Sequence, residues 1–167
     1  TTAQDADPYS GSVKSSKFTP RIGESVSLNK SMSAYALYDQ AFIPQAGADF
    51  TGKAFDPITG NNTEAGLKKE WMGGRWNSTL SLYQITKNNV LTSDPNHLNF
   101  SIQLGQTKTK GVEFDIRGQL LEGLDLTFNY AYTDSKVTKD TDEKKVGVAV
   151  AGATKHINNA WLSYRAT

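Results

Sequence analysis

At 167 residues the chain is long enough for one domain with a substantial core. Its 18 basic and 17 acidic residues leave no electrostatic footprint for nucleic acid, and the lack of cysteine excludes disulfides, zinc–thiolate sites and a thiol nucleophile. No run approaches the roughly 18 to 20 apolar residues of a membrane helix, which excludes helical spanning only, because membrane strands alternate and escape hydropathy.

Residues 1–16, TTAQDADPYSGSVKSS, lack a start methionine and a signal peptide. They read as a loop or tail at an excised or processed beginning, so a larger parent chain is expected. No stretch reads convincingly as a helix; seven strands are predicted instead.

The first covers Lys17–Leu28, with Phe18, Ile22, Val26 and Leu28 on one side and Glu24 breaking that face. Asn29-Lys30 is the expected hairpin turn into the second, Ser31–Phe42. A long insertion, Ile43–Asn62, is rich in Gly, Pro, Asp and Asn without periodicity, and its DPITGNN end reads as turn chemistry. The third strand, Thr63–Trp71, reaches a tight turn at Met72–Arg75 that leads to the fourth, Trp76–Leu91. After the loop 92–100 come the fifth strand, Ser101–Leu120, a turn at Leu121–Gly123, and the sixth, Leu124–Lys136. A charged, then Gly/Ala-rich loop precedes the seventh, Thr154–Ala166.

The fifth and sixth strands alternate strictly. Val112, Phe114, Ile116, Leu126, Phe128 and Tyr130 share one face; Glu113, Asp115, Arg117, Asp125 and Asn129 share the other. In a soluble sheet the apolar face points into a core, whereas in an outer-membrane barrel it points into lipid. Two features favour lipid. Connections run short, long, short, medium, short, long, as periplasmic turns and extracellular loops do. The fourth to sixth strands are also far longer than the globular mode of roughly 5 to 6 residues. On that scheme Trp71 and Trp76 bracket a periplasmic turn, and with Trp161 and Tyr164 they would form an aromatic girdle.

The segments KFTPRIG, YALYDQAFIPQAG, TEAGLKKEW, NSTLSLYQITKNNVLT, TKGVEFDIRGQLLEGLDLTFNYAYTDSKVTKD and TKHINNAWLSYRA occur in a familiar order. Together they resemble the C-terminal half of the β-barrel in TonB-dependent outer-membrane siderophore receptors, from about Lys17 onward. The resemblance implies an all-β, antiparallel, up-and-down transmembrane barrel wall: about seven strands of a 22-stranded barrel. It further implies residence in the bacterial outer membrane, contact with its lipid, and uptake of ferric-siderophore complexes powered by the TonB complex. Iron would enter only as that complex, with no cofactor held directly. No plug-like segment is visible, so residues 1–167 are expected to form a partial barrel domain, with strands over 17–165.

No catalytic constellation stands out, and an enzyme is not expected. His97 and His156 lie apart, without an activated serine nearby. DTDEKK at Asp140–Lys145 fails the calcium-loop spacing and carries opposing lysines. Phe42, Phe50 and Phe55, in or beside the longest loop, and His97 are the candidate ligand contacts; a loop mini-core explains the phenylalanines about as well. The alternative reading is a soluble, secreted all-β binding module of carbohydrate-binding or adhesin type. A β-rich hydrolase falls further behind.

Overall fold

The computed structural model describes residues 16–165; the tail expected over 1–16 lies, but for its last residue, outside them. Seven strands form one antiparallel sheet in sequence order: β1 (Arg21–Asn29), β2 (Met32–Ile43), β3 (Ile58–Trp71), β4 (Trp76–Ser93), β5 (Ser101–Leu121), β6 (Leu124–Lys139) and β7 (His156–Tyr164). β4, β5 and β6 run for 18, 21 and 16 residues. The tight connections β1–β2, β3–β4 and β5–β6 share one end; the loops 44–57, 94–100 and 140–155 share the other.

β1 starts at Arg21, four residues later than expected, β6 runs three residues further, to Lys139, and β7 covers His156–Tyr164; two other differences have a visible cause. β3 starts at Ile58, so Ile58–Asn62 of the stretch read as turn chemistry is strand, while Asp56 and Pro57 stay in the loop: Ile58 pairs with Ile43, and Asn61 pairs with both Gln40 and Thr86. Ladder hydrogen bonds on both sides outweigh the turn preference of Pro, Gly and Asn there. The first hairpin turns at Lys30-Ser31 instead of Asn29-Lys30, because the Asn29 carboxamide oxygen accepts from the Ser31 amide at 2.9 Å and from its hydroxyl at 3.1 Å. An Asx turn therefore begins at Asn29.

Register assigns each side chain to a face. Glu113 pairs with Ser81 and Ala131, and Asp115 with Thr79 and Asn129, on the polar face. Val112, Phe114 and Ile116 pair with Leu82, Leu80 and Ser78 on one side and with Tyr132, Tyr130 and Phe128 on the other. This apolar band continues through Leu67, Ala65, Ala36 and Ala34 on β3 and β2. From Leu124 to Tyr132 it spans eight residue steps, about 27 Å along a strand and some 20 Å of height once tilted.

No described residue covers that band. Among the described residues the one buried hydrophobic side chain is Phe55, 8% exposed, and it sits in a loop. A soluble sandwich of this length would bury its apolar face against a second sheet. Here a single layer leaves it open.

Cross-strand glycines receive large rings. The Tyr35 ring lies over Gly66, Tyr83 over Gly111 and Trp76 over Gly118, so a Cβ at any of the three would collide with the ring. A glycine inside a strand otherwise weakens it; here each is filled from the neighbouring strand.

Candidate functional site

The sheet curls so that its polar face is concave, enclosing an open trough of about 870 Å³ at the tight-turn half. Its wall includes Tyr35, Glu64, Ser81, Glu113, Asp115 and Asn129. The Tyr35 hydroxyl donates to Glu64 Oε1 at 2.6 Å, and Asn129 Nδ2 donates to Asp115 Oδ1 at 2.7 Å. Lys68 Nζ lies 5.0 Å from the Tyr35 ring centroid. Further along the trough side, the Tyr83 hydroxyl bonds the Thr133 hydroxyl at 3.0 Å. Acidic, basic and neutral groups are thus interspersed, with no apolar cavity for a buried organic ligand.

At the open end, loop 44–57 is a folded element. Gln45 Nε2 donates to the carbonyls of Asp56 and Asn89, both at 2.9 Å, and the Asp56 amide donates to Gln103 Oε1 at 2.8 Å. Asn89, with φ of 61° at a bulge in β4, donates from Nδ2 to Pro57 O at 3.1 Å. Phe55 packs inward against Gly47. Phe50 stays exposed and stacks on His97 at 3.5 Å between ring centroids, with planes 10° apart. Phe100 meets Phe50 edge-on at 5.9 Å.

His97 is braced from behind by Asp94, Nδ1 to Oδ2 at 2.8 Å. The Asn96 backbone N–H and then the His97 ring hold the Asp94 carboxyl below its usual range. Because the folded carboxyl is the more acidic form, its contribution to the loop is complete above the unfolded value, roughly 3.9. It is lost as pH falls through the lower folded value. Asp94→Asn is expected to remove that pH dependence, read as hydrogen-exchange protection of the Asn96 amide.

Of the four candidate ligand contacts, Phe50 and His97 come together. Phe55 is shielded inside its loop, and Phe42 pairs with Thr59 on the convex face, away from the stack. Phe100 completes the cluster; no sequence signal singled it out, since stacking across two loops leaves no period. His156 lies on the convex face, bonding the Tyr130 hydroxyl at 2.9 Å.

At the tight-turn end Trp71 and Trp76 pair directly on the convex face, and Trp71 Nε1 donates to Ser78 Oγ at 2.9 Å. Lys69 Nζ lies 4.4 Å from the Trp71 ring. This row continues through Gly118 and Leu126 to Leu162, and Tyr164, paired with Leu124, lies on the same face two residues further toward the tight turns. Trp161 does not: its partner is Thr127, which puts it on the polar face, three residues and hence one phase away from Tyr164.

A family profile described as "TonB dependent receptor-like, beta-barrel" matches residues 1–167. The chain is 37% identical over 138 residues to the metal-pseudopaline receptor CntO of Pseudomonas aeruginosa, covering 83% of this chain and 19% of that protein. It is 30% identical over 148 residues to the ferrichrome outer membrane transporter/phage receptor of Escherichia coli, covering 89% and 20%. The solved ferripyoverdine receptor of the P. aeruginosa outer membrane superposes with a TM-score of 0.75 at 26% identity, over 92% of this chain and 21% of that one. The chain therefore spans about a fifth of the length of these relatives. It belongs to the TonB-dependent receptor β-barrel family of the bacterial outer membrane.

Proposed function

We propose that the chain is part of the barrel wall of an outer-membrane receptor that takes up ferric-siderophore complexes by TonB-dependent active transport. The observation that carries this is the inversion of faces: the concave side is polar, and the convex side is an uncovered apolar band ending in Trp71, Trp76 and Tyr164. In the whole receptor Val112, Phe114, Ile116, Leu126, Phe128 and Tyr130 meet lipid. Glu113, Asp115, Arg117 and Asn129 face the watery lumen, where they are available to a plug that contacts the TonB complex. The wall is a binding and gating surface, without chemistry of its own.

The Phe50–His97–Phe100 cluster is the place for cargo contact. Flat, exposed rings held by a prefolded loop suit a bulky, aromatic chelate at little ordering cost. In cells carrying the full-length receptor, Phe50→Ala is expected to weaken chelate binding about tenfold, the loss of one aromatic contact, while surface display is unchanged. Uptake of labelled iron that is indifferent to TonB, or binding that is indifferent to Phe50, would count against the reading.

A second cargo is favoured by one comparison. The 37% identity to a metal-pseudopaline receptor points to a metal chelate of that type. Competition between a ferric siderophore and metal–pseudopaline for the same receptor separates the two.

A further inference from the structure

The two ring nitrogens of His97 are used differently. Nδ1 meets Asp94 Oδ2 at 2.8 Å, and an ionised carboxylate only accepts, so Nδ1 carries the proton of the neutral imidazole. Nε2 is left with a lone pair in the ring plane, and no described residue bonds it. The His97 side chain is 35% exposed and that of Asp94 7%, so the carboxylate is shut behind a ring that faces solution.

The loop fixes that aim. Asp94 Oδ1 accepts from the Asn96 amide at 2.8 Å, and the Asp94 amide donates to the Phe100 carbonyl at 2.9 Å. Phe50 covers one face of the imidazole, but a face-on stack leaves the in-plane lone pair open. A carboxylate behind a histidine orients the ring and raises its basicity, as it does for imidazoles that ligate metals.

This rim does not hold a bare ion. Among the described residues no three His, Asp or Glu side chains are grouped to bind one. Asp49, on the loop that carries Phe50, accepts from the Thr51 and Lys53 amides and the Thr51 hydroxyl within its own turn. A single nitrogen suits a metal that arrives already chelated, with one position still held by water.

We propose that His97 Nε2 is a ligand to the metal of the cargo, which makes the rim selective for chelates with an open coordination position. The inference rests on the reading of Phe50, His97 and Phe100 as the cargo contact, and it names the class of chelate that contact takes. On docking, the Nε2 lone pair forms the metal–nitrogen bond and a metal-bound water leaves; no proton or electron is transferred. Phe50 and Phe100 meet the organic part of the chelate while Nε2 reads the metal. Imidazole suits nickel, copper, zinc and iron, so the open position is selected more than the element. A chelate whose shell is closed gains the ring contacts alone.

The test uses the untagged full-length receptor in detergent and two flat aromatic probes. Copper(II) terpyridine has an open equatorial position; platinum(II) terpyridine capped by an inert alkynyl group has none. The receptor is expected to bind the open chelate roughly tenfold more tightly than the closed one, with imidazole nitrogen coupling in the copper electron paramagnetic resonance spectrum. His97→Phe keeps a ring for Phe50 to stack on. It should lose both the preference and the coupling while still binding the closed chelate. Asp94→Asn, which orients the ring less firmly, should weaken the open chelate about tenfold and spare the closed one. Equal binding of the two chelates, or coupling that survives in His97→Phe, overturns the ligand assignment; so does an Asp94→Asn effect equal for both chelates. Failure of the underlying reading looks different. If neither chelate binds, or if Phe50→Ala alters neither, the cargo contact itself falls and the ligand assignment with it.

Discussion

Replacing Phe128 with Arg is expected to destabilise the membrane-inserted receptor by about 2–4 kcal/mol, the cost of a guanidinium on the lipid face near the bilayer midplane. Phe128 sits midway along β6 between Leu124 and Tyr132, the two ends of the apolar band, and pairs with Ile116 and Ala160. No acidic side chain occupies the rows immediately around it, which hold Phe114, Ile116, Leu126 and Tyr130. The neighbouring position gives the control. Asn129 points to the opposite side and bonds Asp115. Asn129→Arg should therefore cost under about 1 kcal/mol, as a half-exposed substitution on the polar face beside a carboxylate. The measurement is reversible urea unfolding in lipid vesicles for both variants. Equal costs would show that the convex face does not meet hydrocarbon.

Gly111→Val is expected to cost about 1–3 kcal/mol, although valine is the better strand residue by propensity. The reason is the Tyr83 ring, which occupies the space a Cβ would take and whose hydroxyl is held by Thr133. Relief requires the ring to swing away and break that bond. In a Tyr83→Ala background the same Gly111→Val change should lose most of its cost, giving a coupling well above the scatter of additive pairs. A valine that stabilises both backgrounds would mean that the ring moves freely and the glycine is incidental. Gly118 under Trp76 should behave alike, and Gly66 under Tyr35 more severely, because a Cβ there also meets the Leu80 carbonyl at 2.7 Å.

The sequence displayed the wall far better than the rim. β5 and β6 were legible because strict alternation over many residues has one physical interpretation, a two-faced strand. Strand order was legible from the connections, since short turns force neighbours to pair. What failed were positions decided by partners distant in sequence. Ile58–Asn62 is strand only because β2 and β4 both extend far enough to pair with it. Trp161 looks like a companion of Tyr164 by composition, but phase puts the two on opposite faces. The Phe50–His97–Phe100 cluster joins two loops and carries no periodicity at all. The glycine–ring pairs had a visible half, the glycines within strands, but register was needed to supply the rings.

Each strand of this sheet pairs only with the strands before and after it in the chain. Such a sheet can grow one hairpin at a time, every new strand being templated by the edge just laid down. No step requires a distant segment to be found first, so the loop-closure cost of each addition stays small even in a long chain. Until a last strand returns to meet the first, however, a growing sheet of this kind always presents two adhesive margins. A wall of this design is easy to extend and hazardous to leave unfinished, so its assembly favours a membrane or an escort that shields the margins until closure.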